Sequence, residues 1–132
     1  INIGSVGGIF SIPFQTLYSS SKFAVQGFQQ ALRLEMPDNI KMTCLYPVAT
    51  DTNFFKAAVE GQHKVIRQKP FPVQKPQHVA KAMVKGLERG KKYVNPCKLF
   101  SFAMVLFALF PFVRTVYWKL EKKKLDNFEA QK

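Results

Sequence analysis

The hydrophobic pattern divides this chain into alternating strands and helices followed by a tail of different character. A short apolar run, Ile1–Ser5, predicts a buried strand, and after a loop to about Thr16 a long helix runs to about Met36. Pro37-Asp38-Asn39 ends that helix, because proline and turn-prone residues do not continue it. From Ile40 to Tyr46, the residues Ile40, Met42, Cys44 and Tyr46 alternate with Lys41, Thr43 and Leu45, which is the period of a strand. Leu45 makes the second face apolar too, as suits a parallel sheet with helices on both sides. Periodicity weakens between Asn53 and Lys75, where Phe54, Phe55, Ala57, Ala58 and Val59 predict one short helix. Pro70, Pro72 and Pro76 stiffen the exit from that stretch. Pro76 stands at the first position of a helix that turns Val79, Met83 and Leu87 inward and stops at Gly90. Tyr93-Val94 follows as a last strand.

From Leu99 to Val113 the chain is a nearly unbroken apolar run with five phenylalanines. As one helix it would span roughly 22 Å, short of the ~30 Å hydrocarbon core of a bilayer. The pattern therefore predicts a segment lying in one leaflet or in the interface, with Tyr117 and Trp118 at headgroup level. Lys119, Lys122, Lys123 and Lys124 would then face anionic lipid. The competing reading has the tail packing across a subunit interface or roofing a pocket. The net charge of +12 invites nucleic acid as a partner. No zinc-finger spacing, basic zipper or aromatic RNA-binding pattern accompanies it, so no nucleic-acid role is expected.

Chemistry enters with Ser5 and the run Tyr18-Ser19-Ser20-Ser21-Lys22. Residues four apart on a helix share a face, so Tyr18 and Lys22 can act together. A phenol titrates near 10, and an ammonium beside it favours the phenolate and brings it towards the working range. Tyr18 can then move a proton, while Ser5, at a strand end beside that helix, orients the same substrate oxygen. Ser19, Ser20 and Ser21 read as turn or helix-start residues. No histidine and carboxylate stand at a spacing that would make a serine hydrolase. Cys44 and Cys97 read as free thiols, the first in a strand core and the second in a loop. His63 and His78 read as surface residues, and no metal site is expected.

These residues resemble the second half of a short-chain dehydrogenase/reductase. The resemblance covers roughly residues 1–96 and takes in Asn2 and Ser5, the Gly7-Gly8 turn, Pro13, Tyr18 and Lys22. It continues through Phe23-Ala24-Val25-Gln26-Gly27-Phe28 and Leu32-Arg33-Leu34-Glu35 to Pro47-Val48-Ala49-Thr50-Asp51-Thr52. It implies a partial Rossmann-like α/β fold, the C-terminal half of a doubly wound parallel sheet, over residues 1–96. Residues 97–132 add an apolar helix and basic tail at a membrane.

By the same resemblance Ser5, Tyr18 and Lys22 are catalytic, Lys22 also holding the nicotinamide ribose. Pro47, Val48, Thr50 and Thr52 join Tyr18 and Lys22 around the cofactor, NAD or NADP with NADP favoured. Val48 departs from the family's usual glycine. The region after Asn53 would close over a lipophilic substrate, and the Tyr18 helix would pair two copies of the chain. Gly4, Gly7 and Gly8 form no phosphate-cradling fingerprint and read as turn residues. Asn2 lies on the wrong strand to be the family's catalytic asparagine. With Ile1 at its start and no such fingerprint, the chain is expected to be the C-terminal part of a longer enzyme, inactive alone. The implied activity is interconversion of a carbonyl and an alcohol on an apolar substrate, at a membrane with the site facing the cytoplasm, or else in the cytoplasm itself. The alternative is a membrane-tethered scaffold that keeps the fold without turnover.

Overall fold

A computed structural model describes residues 1–13, 15–54 and 72–130. The expected helical residues Phe55, Ala57, Ala58 and Val59, together with His63 and Pro70, lie outside the described residues. The centre is a three-stranded parallel sheet of β1 (Asn2–Ile3), β2 (Cys44–Leu45) and β3 (Tyr93–Val94), ordered β1-β2-β3. Asn2 pairs with Cys44 and Ile3 with Leu45, and on the other side Cys44 pairs with Tyr93 and Leu45 with Val94. Thr43, Cys44, Leu45 and Tyr46 are all buried. Both faces of the middle strand are therefore covered, as a strand between parallel neighbours requires.

The strands are shorter than their apolar runs. Ile40–Tyr46 contracts to β2 because its first part is turned, Ile40 N–H donating to Pro37 O, and Ile40 is exposed. Ile1–Ser5 contracts to β1 because Ser5 leaves the ladder to cap a 3₁₀ turn, Val6–Gly8. Single backbone bonds still carry the pairing onward, from Gly4 N–H to Leu45 O at 2.9 Å and from Val6 N–H to Pro47 O at 3.2 Å.

Helix α1 (Thr16–Glu35) ends where the sequence requires, Met36 taking the extended backbone that a following proline imposes. From its last turn Arg33 donates to Lys92 O at 3.0 Å, and its guanidinium carbon lies 4.4 Å from the Tyr93 ring centroid. Farther up, the Tyr46 hydroxyl bonds the side-chain oxygens of Gln26 and Gln29, the latter at 3.1 Å. Burial first, and then Cys44 and Tyr93, push the Tyr46 phenol up to about 12. Helix α2 (Pro76–Glu88) opens with Pro76, and Gly90, with φ of 61°, turns the chain into β3.

The tail departs from the expected single segment. Helix α3 (Lys98–Leu109) and helix α4 (Pro111–Ala130) meet at Phe110. Proline has no N–H to continue the ladder and its ring would clash with the carbonyl of Phe107, so Pro111 starts a new helix. Among the described residues no single helix is long and apolar enough to cross a membrane. Lys98–Leu109 and Pro111–Lys124 reach that length and apolarity only as a pair bent by 119°. Cys97 is the loop residue just before α3, buried and capping it, its Sγ accepting from Phe100 N–H at 3.4 Å. Tyr117 and Trp118 both pack against Phe10. Its ring centroid lies 5.5 Å from Tyr117, 5.3 Å from Trp118 and 5.2 Å from Phe107. The opposite side of the hairpin leaves Leu99, Phe102, Val105 and Leu109 of α3 exposed, with Phe112, Val116 and Leu120 of α4.

Candidate active site

The sheet ends its strands at a common edge, β1 just before Ser5 and β2 just before Pro47. In open parallel sheets ligands bind beyond that carboxyl edge. Helix α1 begins beside it and carries Tyr18 in its first turn. The Tyr18 hydroxyl donates to Ser5 Oγ at 3.0 Å, and Ser5 Oγ also accepts from Gly7 N–H at 3.1 Å. Ser5 is thus both a capping serine and a partner of Tyr18. With two bonds accepted, its own O–H is the group left to donate, which suits a carbonyl oxygen placed between the two hydroxyls. Lys22 lies one turn along α1 from Tyr18, with Nζ 5.7 Å from the phenol ring centroid. Sequence spacing and tertiary contact therefore bring Ser5, Tyr18 and Lys22 together.

Two glycines make that approach possible. A Cβ at Gly7 would stand 2.8 Å from Cε1 of Tyr18, and one at Gly8 would stand 2.8 Å from the carbonyl carbon of Lys22. The sequence marks them only as turn residues, whereas here they are where the turn passes against the helix. Among the neighbouring serines, Ser21 donates to Tyr18 O at 2.7 Å and Ser19 is buried in the body of α1.

The Pro47 loop forms the other wall. Its carbonyl holds Val6 N–H, so the loop and the serine turn are directly joined. Val48 is buried, its side chain filling core space that a glycine would leave open, and its carbonyl accepts from Thr50 Oγ1 at 3.0 Å. Gln74 pins the loop, donating to Ala49 O at 2.8 Å and accepting from Asp51 N–H at 2.9 Å. Thr52 is exposed and its Oγ1 accepts from Phe54 N–H at 3.3 Å. Phe54 then places its ring 6.3 Å from that of Tyr18, tilted by 55°. Sequence reading placed Phe54 in a short helix within the region expected to close over substrate, without singling out its ring; an aromatic two residues past Thr52 was the available signal. His78, at the start of α2, is exposed with Nε2 3.2 Å from Pro96 O. Among the described residues no three His, Cys, Asp or Glu side chains stand together as metal ligands would.

Comparison with known proteins finds similar sequences and a similar fold. Residues 1–63 match the family described as short chain dehydrogenase. A 3-ketodihydrosphingosine reductase of Bacteroides thetaiotaomicron is 49% identical over 55 residues, covering 41% of this chain and 20% of that protein. A 17-beta-hydroxysteroid dehydrogenase 13 of Rattus norvegicus is 30% identical over 115 residues, covering 84% of this chain and 36% of that one. A solved short-chain dehydrogenase of Sphingobium yanoikuyae, in complex with NADPH, shares the fold with a TM-score of 0.60 at 24% identity. That match covers 81% of this chain and 43% of the other. The chain thus spans well under half the length of these curated relatives.

Proposed function

The chain belongs to the short-chain dehydrogenase/reductase family, and from that membership we propose that it carries the proton-transfer site of an NAD(P)-dependent oxidoreductase interconverting a carbonyl and an alcohol. The observation that carries this reading is the 3.0 Å hydrogen bond from Tyr18 to Ser5 at the carboxyl edge of the sheet. In reduction Tyr18 gives its proton to the carbonyl oxygen, and in oxidation the phenolate takes it back from the alcohol. Ser5 donates to the same oxygen and fixes the angle at which the carbon is presented. Lys22 favours negative charge on the Tyr18 oxygen during the transfer.

The donor set fits a nicotinamide cofactor. Lys22 offers an ammonium to the ribose hydroxyls, and the exposed Thr52 keeps an O–H for a carboxamide beside Pro47, Val48 and Thr50. When bound, the cofactor supplies or accepts the two electrons of the reaction. NADP is the form we favour.

The substrate is lipophilic. Phe54 puts an aromatic face beside Tyr18, and the relatives named above are a ketodihydrosphingosine reductase and a hydroxysteroid dehydrogenase. The exposed apolar side of the α3–α4 hairpin, with Lys119, Lys122, Lys123 and Lys124 exposed on α4, suits a membrane surface on the cytoplasmic side. Leu17 and Phe28 are exposed on α1 and suit pairing with a second copy through that helix.

Tyr18→Phe in the full-length protein tests the reading. Turnover is expected to fall by about 10²-fold or more while cofactor binding, followed by nicotinamide fluorescence, is kept. Unchanged turnover would refute the assignment of Tyr18. A wild-type protein that binds cofactor without turnover would favour the non-catalytic scaffold.

A further inference from the structure

Phe10 is buried to 6% exposure although it sits in the loop between the serine turn and α1. Aromatic rings of the C-terminal hairpin stack around it. Phe107 of α3 lies nearly parallel to it, at 19° and 5.2 Å, and Trp118 of α4 lies at 27° and 5.3 Å. Tyr117 closes a third side at 5.5 Å and also meets Phe107 at 5.7 Å. Stacking alone leaves rings free to slide. Here the Trp118 indole N–H also donates to the carbonyl of Ser11 at 2.9 Å, a bond joining residues 107 positions apart that sets one orientation.

The other side of Phe10 leads straight to the reacting groups. Phe10 N–H donates to Val6 O at 2.9 Å, Ile9 N–H to the same carbonyl at 3.0 Å, and Gly8 N–H to Ser5 O at 3.0 Å. These bonds close the turn that Ser5 caps, and Ser5 Oγ receives the Tyr18 hydroxyl. A displacement of the Phe10 backbone is therefore passed through these bonds towards Ser5.

We propose that Phe10 and Trp118 form an aromatic clamp by which the C-terminal hairpin positions the Ser5 hydroxyl against Tyr18. Both are positioning residues, and the hairpin is part of the site's framework as well as a surface element. The proposal rests on the oxidoreductase reading above.

The test uses the full-length protein with a short, water-soluble carbonyl substrate, so that delivery of substrate from a membrane does not enter. Phe10→Leu keeps an apolar side chain and removes the stack. Trp118→Phe keeps the stack and removes the N–H donor. Leu120→Ala, on the exposed side of α4, is the control. Turnover is counted per cofactor-binding molecule, which removes any loss of folded protein from the comparison. Phe10→Leu is expected to lower kcat about tenfold or more, since small misplacements of reacting groups cost up to about a hundredfold. Trp118→Phe is expected to lower it several-fold. The cofactor Kd should stay unchanged in both, and the control should match wild type. Both variants turning over like wild type would overturn the clamp, as would losses confined to KM. If Phe10→Leu does not fold, Trp118→Phe decides by the same criterion. A wild-type protein with no turnover would instead overturn the oxidoreductase reading and take the clamp's catalytic role with it.

Discussion

Gly8→Ala is the substitution whose effect follows most directly from the close approach of the serine turn to α1. The new Cβ would meet the carbonyl oxygen of Lys22 first and would stand 2.8 Å from its carbonyl carbon, where ordinary contact begins near 3.4 Å. The obstacle is backbone of α1 and not the tip of a flexible side chain, so either the helix or the serine turn has to retreat by at least about 0.6 Å. Overpacking of this kind costs about 1–3 kcal/mol. The retreat acts along the approach between the Val6–Gly8 turn and α1, which also sets the 3.0 Å Tyr18–Ser5 hydrogen bond. Since a 1 Å misplacement can cost about 10²-fold in rate, a loss of about tenfold in kcat is expected together with a lower melting temperature. Thermal melting by circular dichroism and turnover followed by nicotinamide absorbance, both on the full-length protein, give the two numbers. A variant with wild-type melting and wild-type kcat would show that the turn and α1 are not in close contact and that their approach does not position Ser5 against Tyr18.

Two further outcomes are expected elsewhere in the molecule. Tyr46→Phe leaves Gln26 and Gln29 without the phenol proton in the core, and chemical denaturation should show a loss of about 1–3 kcal/mol. The folded Tyr46 phenol is pushed up to about 12 from an unfolded value of 10.0, so wild type keeps that contribution to stability below pH 10 and loses it as pH rises towards 12. Tyr46→Phe should lack that part of the alkaline decline, and identical alkaline profiles for the two proteins would count against it. At the membrane, changing Lys119, Lys122, Lys123 and Lys124 to glutamine removes attraction worth about 1 kcal/mol for each lysine near an anionic surface. Co-sedimentation with phosphatidylserine vesicles should weaken strongly while binding to neutral vesicles changes little. Equal loss on both would point to a structural effect.

How much of the site could be read from sequence depended on whether its parts are joined by local geometry. Tyr18 and Lys22 were legible because four residues along a helix are neighbours whatever surrounds the helix. The ends of α1 and α2 were legible for the same kind of reason, since Pro37 and Pro76 act on their own neighbours through covalent geometry. Strand lengths were not, because a strand exists only where another strand supplies partners. Ile40 has the right alternation and still turns away from the sheet. The meeting of Phe54 with Tyr18, and the role of Gly7 and Gly8 as approach points, went unseen because each depends on a ring or a carbonyl brought to it by folding.

The tail makes the same division sharply. Its composition by itself determined an apolar segment followed by a basic one, whereas the division into two helices at Pro111 came only with the structure, since the apolar run continues unbroken past the proline. Which face turns inward was decided by tertiary structure alone. The apolar residues of α3 lie all around the helix, so no periodicity in the sequence singles out Phe107 over Phe102. Phe10, carried by the loop after the serine turn and seated among Phe107, Tyr117 and Trp118, is what makes that choice, and stacking has no signature in a linear sequence because its partners lie about a hundred residues apart.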